Sequence, residues 1–192
     1  KRFYDNFDFY KEKIILRNQS ISNAPEVISR IGVVAMNTPV EIDIYGHANS
    51  THVGSRVISG LGGSNDFLRH GIYSIMHTPS TRPSKTDPNG ISCVVPMVSH
   101  CDSTEHDTGI FVTEQGLADM RGLTPVQRAH EVIDKCAHPI YKDQLKDYLN
   151  HAITWNLNKG TAHEPRLLDK VFNMHVSLNE TGSMRLGDKH KW

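Results

Sequence analysis

Apolar positions change their period along the chain, and the changes mark out its elements. Phe3, Phe7 and Tyr10 recur at helical spacing and predict a short helix over 2–12. IILR at 14–17 reads as a strand. SNAPEVISRIG at 22–32 carries helix signals: Ser22 or Asn23 as cap, Pro25 in the first turn and Gly32 as the stop. VVAM at 33–36 is β-prone. In VEIDIYG at 40–46, Val40, Ile42 and Ile44 alternate with Glu41, Asp43 and Tyr45, the period of a half-buried strand. YSIMHT at 73–78, ISCVVPMVS at 91–99 and GIFVTEQG at 109–116 read as further strands, the second interrupted by Pro96. STRPSKTDPNG at 80–90 holds two prolines and a glycine and no apolar residue, so it is a loop.

The last third is helical. TPVQ at 124–127 forms a capping box, with Thr124 as cap and Gln127 reaching back. Three apolar stripes follow. The first is Ala129, Val132, Ile133 and Cys136; the second is Tyr141, Leu145, Tyr148, Leu149 and Ala152; the third is Leu167, Leu168, Val171, Phe172 and Val176. KGTAHEP at 159–165 links the last two. Strands alternating with short helices before a helical tail define an α/β domain with a largely buried sheet. Its core spans about 14–122 and its tail about 124–192. Ligands in such folds sit beyond strand ends, where loops meet helix N-termini.

GLGGSNDFLRHG at 60–71 occupies such a position, with three glycines in four residues before a two-turn helix. Glycine admits positive φ and close approach to the main chain, and a Gly-Gly-Ser turn opening a helix gathers backbone N–H groups. A tight turn capped by Ser64 or Asn65 is the plainer reading. Glu114, at the end of an apolar strand in TEQGLADMRG, is placed for acid–base or nucleophilic work, or is a simple surface charge.

Composition narrows the classes. The chain has 192 residues, 38% hydrophobic and 22% charged, with 21 basic and 21 acidic residues. A balanced charge argues against nucleic acid or an anionic membrane as the main partner. Cys93, Cys101 and Cys136 show no paired spacing, so a disulfide framework is not expected. Twelve histidines invite a metal reading, densest in HCDSTEHD at 100–107, but HExxH and zinc-finger spacings are absent and no metal is expected. His47 and His52 in GHANSTH offer a base or are polar turn residues. Lys1 in place of methionine, with a charged opening, suggests a chain whose beginning is missing.

ISNAPEVISRIG, VEIDIYGHANSTHV, GLGGSNDFLR, SIMHTPSTRPSKTDPNGISCVVPMVSH, TEHD and VTEQGLADMRGL follow in order. Together they resemble the C-terminal half of the acetyl-CoA hydrolase/transferase family, class I CoA-transferases that include succinyl-CoA:acetate enzymes. KCAHPIYKDQLKDYL through HEPRLLDKVF resembles the fungal mitochondrial members. The resemblance implies a CoA-transferase-like fold, a mostly parallel sheet with flanking helices and a helical C-terminal tail. It also implies covalent exchange of CoA through a glutamyl-CoA thioester, between acetyl-CoA and an acid such as succinate, or water.

Residue by residue, the resemblance gives Gly63 as an oxyanion N–H donor, with Gly62 beside it against CoA. It makes Glu114 a second active-site carboxylate with a positioning or electrostatic role, and it puts Asn23 near the site. Lys85 falls where a family lysine meets the CoA phosphates, with Arg82 as competitor. The nucleophilic glutamate lies upstream of Lys1, so the isolated chain is expected to show no turnover. The expected partners are acetyl-CoA or CoA, small carboxylates and the protein's own N-terminal domain, with a homodimer possible. No tightly bound cofactor, nucleic acid or membrane is expected, and the location is mitochondrial. A CoA-binding or regulatory module without chemistry is the alternative, and a metal-dependent hydrolase built on 100–107 ranks last.

Overall fold

Gly32, at φ 72°, ends the first firm helix and lets the chain turn directly into the main sheet. The computed structural model describes residues 1–192. Three short helices open the chain: α1 Arg2–Asp5, α2 Phe7–Lys11 and α3 Gln19–Ser22. The expected helix over 2–12 is thus split at Asn6. IILR forms no strand: it has no sheet partner and its side chains are exposed. Helix α4 covers Pro25–Ile31, with proline in its first turn as expected.

β1 (Val34–Asn37), β6 (Tyr73–His77), β10 (Ile110–Thr113) and β11 (Gly116–Asp119) make a four-stranded sheet in the order β1-β6-β10-β11. β1 and β10 both run parallel to β6, and β11 returns antiparallel beside β10. Between β1 and β6 in sequence lie β2 (Glu41–Asp43), β3 (Ala48–Asn49), β4 (His52–Val53), β5 (Arg56–Val57) and helix α5 (Ser64–His70). β7 (Thr81–Arg82) pairs with β8 (Ile91–Ser92), and β9 (Val94–Val95) joins β2 and β3 in a second sheet. The apolar run at 91–99 is therefore two short strands on different partners, broken at Cys93.

The alternation at 40–46 misleads about burial. Glu41 and Asp43 are as buried as Ile42 and Ile44. Each carboxylate is held by hydrogen bonds: Glu41 accepts from Asn49, His175 and the Ser99 backbone, and Asp43 from the amides of Tyr45, Gly46 and His47. Hydrogen bonds fill both oxygens of Glu41, whereas all those to Asp43 end on Oδ1 and its buried Oδ2 has no partner, its charge offset by Arg166.

α6 (Pro125–Cys136) starts at the expected capping box, in which the Thr124 amide donates to Gln127 Oε1 at 2.9 Å. α7 (Pro139–Leu157) buries the second stripe intact. The third stripe is not one helix. α8 runs only Asn173–Thr181, and Leu168 and Phe172 point outward from the turn before it. The tail closes over the second sheet. Tyr45 Oη donates to the Pro165 carbonyl, Tyr141 Oη to the Gly90 carbonyl at 2.7 Å, and Trp192 Nε1 to the Gln144 carbonyl at 2.8 Å.

The main sheet has two unlike faces. Ala35, Met76, Phe111 and Ala118 share one face by register and pack beneath α5 and α6. Val34, Met36, Tyr73 and Leu117 share the other, and they are 47%, 64%, 42% and 49% exposed. Those four side chains leave a good deal of apolar area on that face exposed.

Candidate active site

The parallel strands β1, β6 and β10 all end at one edge of the sheet. α5 runs the opposite way: beyond its last turn Gly71 lies against Val33 and Ala35 at the start of β1, so its N-terminus returns to the strands' carboxyl edge. α4 lies parallel to α5. Their last turns meet through Ser29 Oγ and the His70 carbonyl, and their first turns meet through Asn23 and Asp66. Asn23, the glycine turn and Glu114 are thereby gathered on one edge, although 91 residues of sequence separate the first from the last.

At the turn, Gly62 adopts φ +59°, a left-handed conformation that favours glycine. Gly63 has an ordinary φ of −87° and serves as N-cap of α5. The expected side-chain caps, Ser64 and Asn65, are not used: no side chain caps this helix. Gly63 is required for space instead. A Cβ there would fall 2.1 Å from Asn23 Nδ2. That nitrogen donates to Asp66 Oδ2 at 3.2 Å. Asn23 is therefore no cap of α4, whose N-cap is Ala24, but a bridge to the first turn of α5. The amides of Gly63, Ser64 and Asn65 have no acceptor within the chain, so they present a donor group at a helix start. Beside them Asn18, Ser20, Asn23, Glu26 and Asp66 line an open cleft of about 530 Å³.

Glu114 sits in the two-residue turn between β10 and β11, a hairpin the sequence reading did not see. Its carboxylate accepts from the Ser80 amide at 2.8 Å, the Ser80 hydroxyl, and Gln115 Nε2 at 3.0 Å. Partial burial pushes its pKa up, but the Ser80 and Gln115 hydrogen bonds outweigh it and hold the value at about 2. The group is thus a fixed anion and not a proton donor at neutral pH. Thr38, His77 and Glu114 line an open cleft of about 550 Å³ along the ends of all three parallel strands. Ser80 is the contributor that the sequence reading missed: it lies in a stretch read only as a loop, and its partner is 34 residues away.

Lys85 is exposed and forms no ion pair. Arg82 is half-buried in β7, and its Nε has no hydrogen-bond partner. Both histidines of GHANSTH are held by neighbouring side chains. His47 is held by Asp43 at 3.0 Å and Glu105 at 2.9 Å, and His52 faces Thr51 Oγ1 at 2.6 Å.

Open clefts toward the carboxyl edge of a mostly parallel sheet, one beside free amides and one holding a fixed carboxylate, define an α/β domain with its clefts where such folds place their sites. The sequence profile described as Acetyl-CoA hydrolase/transferase C-terminal domain matches residues 1–149. The chain belongs to that family. It is 60% identical to an acetyl-CoA hydrolase of Candida albicans over 187 residues, 97% of this chain and 36% of that protein. A Neurospora crassa acetyl-CoA hydrolase is 62% identical over 185 residues, 96% of this chain and 35% of the relative. The chain thus spans about a third of the length of these relatives. Among solved structures, RipA from Yersinia pestis matches with a TM-score of 0.55 and 31% identity, over 66% of this chain and 28% of that one. A 4-hydroxybutyrate CoA-transferase from Porphyromonas gingivalis matches with a TM-score of 0.51 and 26% identity, over 68% and 30%. The expected α/β fold with a mostly parallel sheet stands.

Proposed function

We propose that this chain supplies the acceptor half of an acyl-CoA transferase or hydrolase site, in which CoA moves between acetyl-CoA and a carboxylic acid or water. The observation that carries the reading is the placing of a donor-rich glycine turn and of an anchored, ionised carboxylate at two clefts toward the same sheet edge. The Gly63 amide would stabilise the oxyanion of each tetrahedral intermediate, where preorganised donors have their largest effect. Glu114, ionised, would orient or electrostatically steer the incoming group. Asn23 fixes the turn from the side. Lys85, exposed and without an ion pair, suits the CoA phosphates as a point charge, with Arg82 its competitor.

The nucleophile in this reading is a glutamate of the longer protein outside this chain. A glutamyl-CoA thioester forms when that carboxylate attacks the acyl carbonyl and expels CoA thiolate, and the thiolate then attacks the glutamyl carbonyl of the resulting anhydride and releases the acyl group as acetate. The exposed apolar area of Val34, Met36, Tyr73 and Leu117 supports a covering partner, which the rest of the longer protein, including its N-terminal domain, would provide. A mitochondrial location, acetate or succinate as acceptor, and a homodimer belong to the same proposal.

The test follows acetyl-CoA consumption by the full-length protein with and without succinate, measuring succinyl-CoA and free CoA separately. Succinyl-CoA forming faster than free CoA establishes a transferase. Free CoA alone, indifferent to succinate, makes it a hydrolase. No turnover of either kind overturns the enzymatic reading in favour of a CoA-binding module.

A further inference from the structure

The loop at 100–107 does not gather its own histidines and acids into one site. It instead brings two of its residues to a third from β4. One ligand atom each of His52, His100 and Asp102 lies within 4.8 Å of the other two. The two imidazoles lie face to face, their centroids 3.8 Å apart and their planes 30° from parallel. His100 Nε2 stands 3.4 Å from Asp102 Oδ1.

The surrounding hydrogen bonds prepare these groups as ligands. Asp102 Oδ2 accepts from the Ser50 amide at 2.7 Å and from Thr51 Oγ1 at 2.8 Å. A carboxylate only accepts, so the single Thr51 proton points to Asp102. Thr51 Oγ1 must then accept from His52 Nδ1, 2.6 Å away. This fixes the His52 tautomer: Nδ1 carries the proton and Nε2 keeps its lone pair. A metal-binding histidine is usually oriented in this way, through its second nitrogen. Asp102 Oδ1 is left with no hydrogen bond apart from the long His100 approach, and the His100 ring, stacked on His52, is 44% exposed.

We propose that His52, His100 and Asp102 bind one divalent transition-metal ion of the zinc class, with the remaining coordination positions open to water. Bond lengths of about 2.0–2.2 Å place tetrahedral ligand atoms about 3.4 Å apart, the separation His100 Nε2 and Asp102 Oδ1 already have, and the His100 ring swings out of its stack on His52 so that both imidazoles aim at one ion. Two imidazoles and a carboxylate select zinc, copper or nickel over magnesium and calcium.

The site lies directly behind the glycine turn. Asn65 of α5 donates to the Asp102 carbonyl at 2.8 Å and accepts from Ser103 Oγ at 2.6 Å. A bound ion therefore clamps the loop that holds the start of α5, and it takes no part in bond making. The inference stands apart from the proposed reaction and is tested without it.

The full-length protein is stripped with chelator and titrated with zinc chloride by calorimetry, beside the variants His100→Ala and Thr51→Val. The wild type is expected to take up one more zinc per chain than His100→Ala, and zinc is expected to raise its melting temperature but not the variant's. Thr51→Val should keep the stoichiometry and bind about tenfold more weakly, the loss typical of a removed orienting partner. His52→Gln replaces His100→Ala if the latter does not fold. Equal zinc uptake by wild type and the histidine variant, or binding of magnesium as tight as zinc, overturns the site.

Discussion

Asn23 and Gly63, 40 residues apart, occupy one another's space: the Asn23 side-chain nitrogen stands where a Cβ on Gly63 would have to go. The contact ties the turn before α4 to the turn before α5. It also separates the two glycines by cause. Gly63 is there for room and Gly62 for its φ.

Their alanine variants should therefore fail differently. Gly63→Ala, at φ −87°, keeps a relaxed backbone but displaces Asn23. It keeps the backbone N–H, so it should slow acetyl-CoA turnover by the full-length protein less than Gly63→Pro, which removes that donor and should cost about 100-fold or more. Gly62→Ala has open space around it and only its φ of +59° against it. It should lose about 1–2 kcal/mol in urea unfolding.

Glu114→Gln tests the fixed anion. Its folded pKa of about 2 lies below the ordinary 4.5, so the charge contributes stability above pH 4.5 that is lost as pH falls through 2. Urea midpoints measured down that range should fall less steeply in the variant. Ser80→Ala removes one hydroxyl donor and should raise the Glu114 pKa toward 4.5 in a carboxylate titration followed by NMR.

His47 carries the opposite sign. Burial pushes its pKa down, but the hydrogen bond and charge of Asp43, with Glu105, more than offset this and raise it above 6.5. Its stabilisation is fully present below pH 6.5 and is lost as pH rises through the folded value. The wild-type urea midpoint should decline over that interval, and His47→Gln should flatten the decline.

Lys85 and Arg82 are told apart by kinetics. Lys85→Ala should raise KM for acetyl-CoA about fivefold with kcat unchanged, the effect of one exposed charge pair, and the difference should shrink in high salt. Arg82→Ala, from a half-buried position beside Cys93, should instead lower thermal stability.

The residues that can be judged from a local window were legible in the sequence. Thr124 and Gln127 satisfy each other three residues apart, and Gly32 stops its helix alone, so neither depends on distant chain. Glu41 and Asp43 were not legible. Alternation sends polar residues to solvent only when the second face is wet, and here the helical tail covers it, His175 reaching Glu41 from 134 residues away. IILR has the composition of a strand but finds no neighbour to pair with. At the candidate site, the glycine turn and Glu114 were visible as local motifs. Their anchors, Asp66 for Asn23 and Ser80 for Glu114, belong to other segments and emerge only on folding.

The tail's grip on the second sheet sets the order of assembly during synthesis. Tyr45 closes on Pro165 across 120 residues, and Tyr141 on Gly90 across 51. Contacts so far apart form late, because their loops must close before any reward arrives. A growing chain released before Pro165 leaves Tyr45 without its Pro165 partner and Glu41 without His175. Ribosome-bound chains stalled short of residue 165 should be cut readily by protease, and chains carrying the whole tail should resist. The stretch around residue 165 is thus the latch for strands made more than a hundred residues earlier.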